Sequence, residues 1–535
     1  MLLALAVVPA SLWAQTTIQD RGDQSPSKPP TESNVPSRAA EAGANTGTLP
    51  VTTSAKDARA LYDAGVVSWE NLQLDSALKR WRTAVNIDPD FALAHLMLAY
   101  CTPDPAEEKA ERRKAESLAG KVTPDERLLI AWFDGVRENN YVAGIAAMND
   151  LLQRYPKDKQ LLMWSGSWLF HQQEYERAQN KLEKAVALDP SFASAWNDLG
   201  YVYALQSDYG RALAAMQHYV ELLPNEPNPQ DSYGEILRMA GRYDEAIEHY
   251  RTALRIDPNF HSSQLGIADT YSLMGQQRRA RVEYFNARVL ATDRLTELQD
   301  LMQSAFSYVR GRDILGADGA FEEVVQQAHR TGLPVLEAEA WRMRARLHFI
   351  NQTDDLLNAG APETRRRLPF LRKKQVQTPE AEYLDTAEQV IRSAKAISES
   401  DRQDELANIL CERAQADARH GLFAEAEQVL ASLEKMANQV PSVTVQHAFN
   451  EAKGAVLVYE GKYEQAIPLL EQDNDNVFSQ FRLAYAAQKA GKAQSAKEHL
   501  AEVIEYRQPT PEQAFMTPLR SLDGNTWASS ETQPR

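Results

Sequence analysis

The stretch AWNDLGYVYALQSDYGRAL, residues 195–213, mixes large aromatic and aliphatic residues with two small ones. Gly200 stands where a helix former is expected, and Ala212 follows it twelve positions later. The large residues between and around them recur at the spacing of one helical face. A glycine inside a helix costs about 1 kcal/mol relative to alanine, which tighter packing against a second helix would offset. The stretch therefore predicts two antiparallel helices in contact at Gly200, with Ala212 facing it from the second helix.

The same arrangement recurs along the chain at a constant interval. The prolines Pro190, Pro224 and Pro258 stand 34 apart and end the second helix of each unit, since proline cannot continue the helical hydrogen bonds. Two other phases of this period, offset from each other by twelve, hold small residues: Gly166, Gly200, Gly234 and Ala268 in the first, and Ala178, Ala212, Ala246 and Ala280 in the second. Four consecutive units in phase predict an array of helical hairpins over 159–292.

These residues carry a family resemblance. Trp196, Leu199, Gly200, Tyr203, Ala212 and Pro224 together resemble the signature of the tetratricopeptide repeat. The resemblance extends to 58–91, where Gly65 and Ala77 have the same offset of twelve. It implies an all-α fold, an α-solenoid wound as a right-handed superhelix, with first helices lining the concave face. The look of the repeats and of the N-terminal residues indicates a bacterial protein of exported type.

Composition and periodicity divide the chain into eight segments. They are a signal peptide at 1–14, a disordered linker at 15–55, a repeat with degenerate hairpins at 56–158, four regular repeats at 159–292, repeat-like helices at 293–353, a linker or insertion at 354–380, repeat-like helices at 381–507 and a disordered tail at 508–535. In the 381–507 segment a turn glycine stands five positions before an alanine three times: Gly421/Ala426, Gly461/Ala466 and Gly491/Ala496. A second, more degenerate half of the array is therefore expected.

The N-terminal residues MLLALAVVPASLWAQ form an apolar run that ends in small residues. A run of about a dozen suits a secretory signal better than a membrane span, which needs roughly 20 residues. No Lys or Arg precedes Arg21, so the usual basic leader is missing. The Pro-, Ser- and Thr-rich residues that follow cannot bury enough surface to fold. We expect export to the periplasm or beyond; the alternative is a buried N-terminal helix on a cytoplasmic protein.

Several function classes are disfavoured by composition and motifs. The 58 basic and 74 acidic residues give a net charge of −16, which argues against nucleic-acid binding. Cys101 and Cys411 form neither a disulfide framework nor a zinc spacing, and no cofactor or metal is expected. The ten histidines fall into no catalytic pattern, and no HExxH, GxSxG or Walker loop occurs. The sequence therefore predicts a chain without its own catalysis.

The resemblance also implies where a partner would bind. In this family the second, fifth, ninth and twelfth residues of each unit, often with the sixth, face the groove. The matching positions include Phe170, Asn197, Asp198, Tyr201, Asn228, Asp231, Glu235, Arg238 and Asp269. Met163 and Ser167 stand where members that hold a terminal carboxylate carry Lys and Asn, so such a clamp is not expected. The acidic residues instead suit a basic or amide-rich extended segment; the alternative is a merely solvated polar face.

Function then rests on surfaces, and the sequence predicts a scaffold or adaptor that binds partner proteins in its groove. Two alternatives stay open: a regulatory or sensory module, and an accessory subunit of a secretion, peptidoglycan or glycosyl-transfer machine. The run RRRLPFLRKK, residues 365–374, holds six basic residues among ten. It could dock on anionic lipid, as the only expected membrane contact, or on an acidic partner; the alternative is an exposed loop or helix with solvated charges.

Overall fold

The computed structural model describes residues 47–102, 104–137, 141–358, 379–395, 397–440, 442–473 and 476–516. The predicted signal peptide at 1–14, most of the predicted linker, the basic run at 365–374 and residues 517–535 lie outside these ranges. Helices dominate the described chain, and no strand occurs within those ranges. The predicted all-α solenoid of repeats is confirmed.

The helices fall into two compact units, which divide after Asp257. In unit 1 they are α1 (Lys56–Glu70), α2 (Leu74–Ile87), α3 (Ala92–Cys101), α4 (Pro105–Leu118), α5 (Pro124–Arg137), α6 (Tyr141–Arg154), α7 (Lys159–His171), α8 (Tyr175–Leu188), α9 (Ala193–Leu205), α10 (Tyr209–Leu222), α11 (Pro227–Met239) and α12 (Tyr243–Ile256). Consecutive helices pair as hairpins, and the odd-numbered member of each pair is called its first helix.

Unit 2 begins at Pro258. Its helices are α13 (His261–Leu273), α14 (Gln277–Leu290), α15 (Arg294–Arg310), α16 (Ile314–Thr331), α17 (Pro334–Asn358), α18 (Pro379–Ser393), α19 (Glu399–Arg419), α20 (Phe423–Gln439), α21 (Val443–Tyr459), α22 (Tyr463–Glu471), α23 (Val477–Lys489), α24 (Ala493–Glu505) and α25 (Pro511–Met516). The hairpin plan continues through α24, while α25 is a short unpaired helix.

Gly200 makes room for a large side chain rather than for Ala212. A Cβ added at Gly200 would stand 2.6 Å from the Cε atom of Met216, one turn beyond Ala212 on α10. The same relation, a glycine against a large buried residue sixteen positions later, recurs in both units: Gly65 with Trp81, Gly166 with Leu182, Gly234 with Tyr250 and Gly454 with Leu470. The close helix contact predicted at Gly200 is present, and Met216 is the residue nearest to it; at the equivalent Gly234 a Cβ would also stand 3.1 Å from the carbonyl oxygen of Ala246, the counterpart of Ala212.

Two segments that the sequence assigns to disorder are packed where the structure describes them. Leu49 and Thr52, in the C-terminal part of the predicted linker, donate backbone hydrogen bonds to Asp158 at 2.7 Å and to Glu126 at 2.6 Å. The first residues of the predicted tail form α25, whose Phe515 is 1% exposed. In both places the polar composition predicts disorder, because it gives no sign of the contacts that these residues make with residues far along the chain. None of the described helices has the length and apolarity needed to cross a membrane.

Candidate functional site

Half of the groove residues predicted in unit 1 are buried, and half are partly exposed. Asn197, Asp231, Glu235 and Arg238 are buried, whereas Phe170, Asp198, Tyr201 and Asn228 are partly exposed. Asp269, in unit 2, is also buried and accepts a 2.7 Å hydrogen bond from the hydroxyl of Tyr284. Of the predicted acidic positions, Asp231, Glu235 and Asp269 are therefore closed to solvent and Asp198 is partly exposed, while partner binding at these positions stays a prediction.

The carboxylate of Glu235 is neutralised within its own surroundings. Arg238 donates to Glu235 Oε1 at 2.7 Å, and the hydroxyl of Tyr201 donates to Glu235 Oε2 at 2.9 Å. Glu235 and Arg238 are 2% and 1% exposed, so neither charge faces solvent. An ion pair this deep leaves no net negative potential with which to attract a basic segment.

Aromatic side chains fill the space between the first helices of unit 1. The ring of Trp69 on α1 lies 6.3 Å from that of Tyr100 on α3 and 6.1 Å from that of Trp164 on α7. Trp132 and Phe133 on α5 complete the cluster, at 6.4 Å and 6.0 Å from Trp164. All five rings are buried. These five rings form part of the hydrophobic core that joins α1, α3, α5 and α7.

Unit 2 carries a narrow cleft whose lining comes mainly from its first helices. About 20 Å³ of it has room for water-sized molecules, within an envelope of about 350 Å³ that includes space open to solvent, and Phe478 and Arg482 in its lining are each 4% exposed. Its lining residues are Ala345 and Arg346 on α17, Glu380 and Leu384 on α18, Glu412, Gln415 and Arg419 on α19, and Phe478 and Arg482 on α23. We call this the α17–α23 cleft. Three guanidinium groups, two carboxylates, an amide and an aromatic ring therefore meet in one depression.

Each arginine of the α17–α23 cleft is held by a carboxylate. Arg346 donates to Glu412 at 3.0 Å, and Arg419 donates to Glu380 at 2.6 Å. Arg482 donates to Glu451 of α21 at 3.0 Å. Fixed in this way, the guanidinium groups lose little further side-chain entropy when a ligand binds.

The arginines also decide the charge state of the carboxyl groups around them. Burial alone would raise the pKa of Glu451, but the positive charges of Arg482 and Arg346 lower it below its ordinary value. Glu451 is therefore ionised at neutral pH. By contrast, burial raises the pKa of Glu339 on α17 to about 7, against the opposing effect of Arg342. The cleft thus combines fixed ion pairs with one nearby carboxyl group that titrates near neutrality.

Phe478 provides the apolar surface of the cleft. The guanidinium carbon of Arg346 lies 5.2 Å from the centre of its ring, and that of Arg482 lies 5.5 Å from it. Gln415 bridges the polar side by donating to Glu451 at 3.0 Å. A ligand in this cleft meets an aromatic ring together with both donors and acceptors, as in recognition of a peptide's backbone and amide groups.

Sequence reasoning missed the α17–α23 cleft, although its residues keep the register of the regular repeats. Counting back twelve positions from Ala426, Ala466 and Ala496 gives the small helix position of each C-terminal unit. The groove positions that follow from it are Phe478 at the second position, Glu451 at the fifth, Glu412 and Arg482 at the sixth and Gln415 at the ninth. The register alone therefore points to Glu412, Gln415, Phe478 and Arg482, which are four of the nine lining residues.

The described residues hold no metal-binding constellation: no group of three or more His, Cys, Asp or Glu side chains among them could hold an ion. Cys101 and Cys411 are both free and buried. Burial raises the pKa of each thiol well above its ordinary value, so neither is poised as a nucleophile.

Curated relatives resemble parts of the chain. Cellulose synthase operon protein C of Xanthomonas axonopodis pv. citri is 28% identical over 260 residues, which are 46% of this chain and 17% of that protein. Human Protein O-mannosyl-transferase TMTC1 is 26% identical over 209 residues, which are 37% of this chain and 23% of that protein. The chain thus spans less than a quarter of the length of either relative.

Solved structures that resemble the chain share its repeats at low similarity. A tetratricopeptide repeat protein from Parabacteroides merdae has 15% identity and a TM-score of 0.33, covering 54% of this chain and 99% of its own. YrrB, described as a TPR protein with an unusual peptide-binding site, has 15% identity and a TM-score of 0.26, covering 34% of this chain and 92% of its own.

Family models match the chain in both units. Models described as tetratricopeptide repeat match residues 169–227 and 478–507, and one described as TPR repeat matches 234–275. The matches at 169–227 and 234–275 lie in the regular repeats, and the match at 478–507 contains Phe478 and Arg482 of the α17–α23 cleft. The chain is therefore a tetratricopeptide repeat protein.

Proposed function

We propose that the chain is an interaction scaffold that binds an extended, amide-rich segment of a partner protein in the α17–α23 cleft. The observation that carries this proposal is the convergence of Arg346, Arg482, Gln415 and Phe478 in a narrow, largely buried depression lined mainly by first helices. Stacked repeats use such faces as extended binding surfaces.

The electrostatics of the cleft favour an amide-rich ligand over a strongly charged one. The lining holds three arginines and two glutamates, and each arginine already has a carboxylate partner. An amide group can accept from a guanidinium and donate to a carboxylate at once, without adding net charge to a partly buried site. A polybasic or polyacidic segment would leave an uncompensated charge there.

Selection of displayed peptides on the full-length chain tests this proposal. Enriched peptides are synthesised, and their dissociation constants are measured on the native chain and on Phe478→Leu, which keeps an apolar side chain but removes the ring. We expect at least tenfold weaker binding to Phe478→Leu. The matched control is Phe285→Leu on α14, where the ring is 60% exposed and away from the cleft lining. Equal affinity for all three proteins would refute the proposal.

A second proposal concerns the setting in which the scaffold works. The similarity to cellulose synthase operon protein C supports an accessory role in a glycan-synthesis machine. Export, predicted from residues 1–14, is part of this proposal. N-terminal sequencing of protein from an envelope fraction should find a chain that starts near Gln15, and co-purified glycan-synthesis subunits should be identifiable by mass spectrometry. An intact Met1 on cytoplasmic protein would contradict it.

A further inference from the structure

We propose that residues 508–516 are a built-in peptide ligand of unit 2, which occupies the first-helix face beside the α17–α23 cleft and which a partner segment of the same chemistry displaces. This inference rests on the proposed function, because it names an occupant and a recognition motif for the same face. The segment reads QPTPEQAFM.

The side chains of this segment are more deeply buried than expected for so short a stretch of chain. Thr510, Gln513, Phe515 and Met516 are 3%, 2%, 1% and 1% exposed. A six-residue helix such as α25 has almost no stability of its own in water, because nucleating a helix is unfavourable. Contacts with the rest of unit 2 must therefore hold it in place.

Those contacts bridge helices that lie far apart in the chain. Packing joins α25 to α23, which is close in sequence, and also to α15, about 200 residues earlier. Arg310 at the end of α15 donates to Gln513 Oε1 at 2.7 Å and to the carbonyl oxygen of Thr510 at 3.2 Å. One arginine thus donates hydrogen bonds to both a side-chain amide and a backbone carbonyl, as in recognition of a peptide.

The segment also reaches the lining of the α17–α23 cleft. Glu512 accepts from Arg346 at 3.1 Å, and Arg346 is the residue that also holds Glu412. The ring of Phe515 lies 6.4 Å from that of Phe306 and 5.7 Å from the guanidinium carbon of Arg346. An acidic residue, an amide and an aromatic residue are therefore each met by a complementary group.

Departure of the segment need not unfold a repeat. The hairpin α23–α24 ends at Glu505, and the residues from Tyr506 to Thr510 are not helical. Because α25 is joined through this short connection, its release breaks no backbone hydrogen bond of the hairpin, although it uncovers part of the hydrophobic cluster that Phe515 and Met516 share with Phe478 of α23. The partner that competes for the face should carry Glu-Gln followed, after one residue, by an aromatic residue.

A labelled synthetic peptide with the sequence of residues 508–516 tests the inference on the full-length chain. In the native chain its binding site is occupied, so weak binding is expected. The variant Gln513→Ala/Phe515→Ala should release the segment and bind the peptide at least tenfold more tightly, with an unchanged helical circular dichroism spectrum. Adding Arg310→Gln should remove most of that gain, while Arg392→Gln, at an exposed pair on α18, should not.

A second measurement covers the case in which the double variant fails to fold. Saturating peptide added to the native chain should accelerate hydrogen exchange in residues 508–516 of the chain itself. A folded double variant that binds no better than the native chain, or no change in exchange under saturating peptide, would overturn the inference. Selected peptides that still lose affinity in Phe478→Leu would show that the proposed function survives that failure. If selected peptides bind Phe478→Leu as tightly as the native chain, while the labelled peptide behaves as expected, the proposed function is refuted and the inference about residues 508–516 stands.

Discussion

Gly454 of α21 lies against Leu470 of α22 so closely that a Cβ on residue 454 would stand 2.6 Å from Leu470 Cδ2. Leu470 is fully buried, and Gly200 and Met216 have the same relation in unit 1. The repeat therefore pairs an absent side chain on the first helix with a large one on the second. This pairing sets how closely the two helices of a hairpin approach.

Gly454→Ala is expected to destabilise the chain by about 1–3 kcal/mol, because the added methyl group overpacks a filled contact. Gly319 in α16 provides the matched control, since a Cβ there meets nothing within 4 Å. Gly319→Ala should stabilise the chain by about 0.5–1 kcal/mol through helix propensity. Urea unfolding followed by circular dichroism measures both. If both substitutions change the free energy of unfolding in the same direction, a Cβ at residue 454 does not overpack the contact with Leu470.

Arg342 on α17 should contribute strongly to the stability of unit 2. It donates to Glu405 and to Glu412, each at 2.6 Å, and the Arg342 and Glu405 side chains are both nearly inaccessible. Arg342→Met leaves two buried carboxyl groups without this cation and should cost about 3–5 kcal/mol at pH 7.5. Arg392→Met, at an exposed pair with Glu388, should cost no more than about 0.5 kcal/mol.

The effect of Arg342→Met should depend on pH. Burial already raises the pKa of Glu405 despite Arg342, and loss of the cation should raise it further. A raised carboxyl pKa favours the protonated folded form, so the destabilisation should shrink as the pH falls from 7.5 to 5. Unfolding curves at both values measure it. A loss of stability that is larger at pH 5 than at pH 7.5 would mean that Glu405 is not the carboxyl group whose pKa the substitution raises.

Glu235→Lys should strongly destabilise the chain, although the sequence predicts that residue 235 lies on the surface. The new ammonium would lie beside Arg238 in a buried place, so two positive charges would meet without solvent. We expect a loss of more than about 3 kcal/mol. Glu248→Lys, which replaces a largely exposed partner of Arg251, should change stability by less than about 0.5 kcal/mol. Equal melting temperatures for the two variants would restore the open acidic groove.

Asp198 should make unit 1 less stable as the pH rises. Burial raises the pKa of Asp198 to about 6, although Ser167 donates a hydrogen bond that favours the charged form. A raised carboxyl pKa contributes stability below about pH 4 that is lost as the pH rises through 6. Asp198→Asn should therefore be more stable than the native chain at pH 7.5 and similar to it near pH 4. Chemical unfolding across this range measures the difference, and a variant that is less stable at pH 7.5 would contradict the burial of the charge.

The local part of this fold could be predicted from the sequence, and the long-range part could not. The period set by Pro190, Pro224 and Pro258 determines helices and turns, because those signals act within one hairpin. The burial of Glu235 depends instead on how neighbouring hairpins stack, since Tyr201 of the preceding hairpin donates to it. The docking of α25 joins Arg310 to Gln513, 203 residues away, which no local pattern reveals.

The central claim is that partners bind on the first-helix face of unit 2, and the place where a bound peptide lies tests it most directly. A selected peptide that carries a benzophenone group is photo-crosslinked to the native chain, and the modified residues are identified by mass spectrometry. We predict crosslinks in α17, α19 and α23, around Arg346, Gln415 and Phe478. Crosslinks confined to unit 1 or to α20, α22 and α24 would contradict the claim.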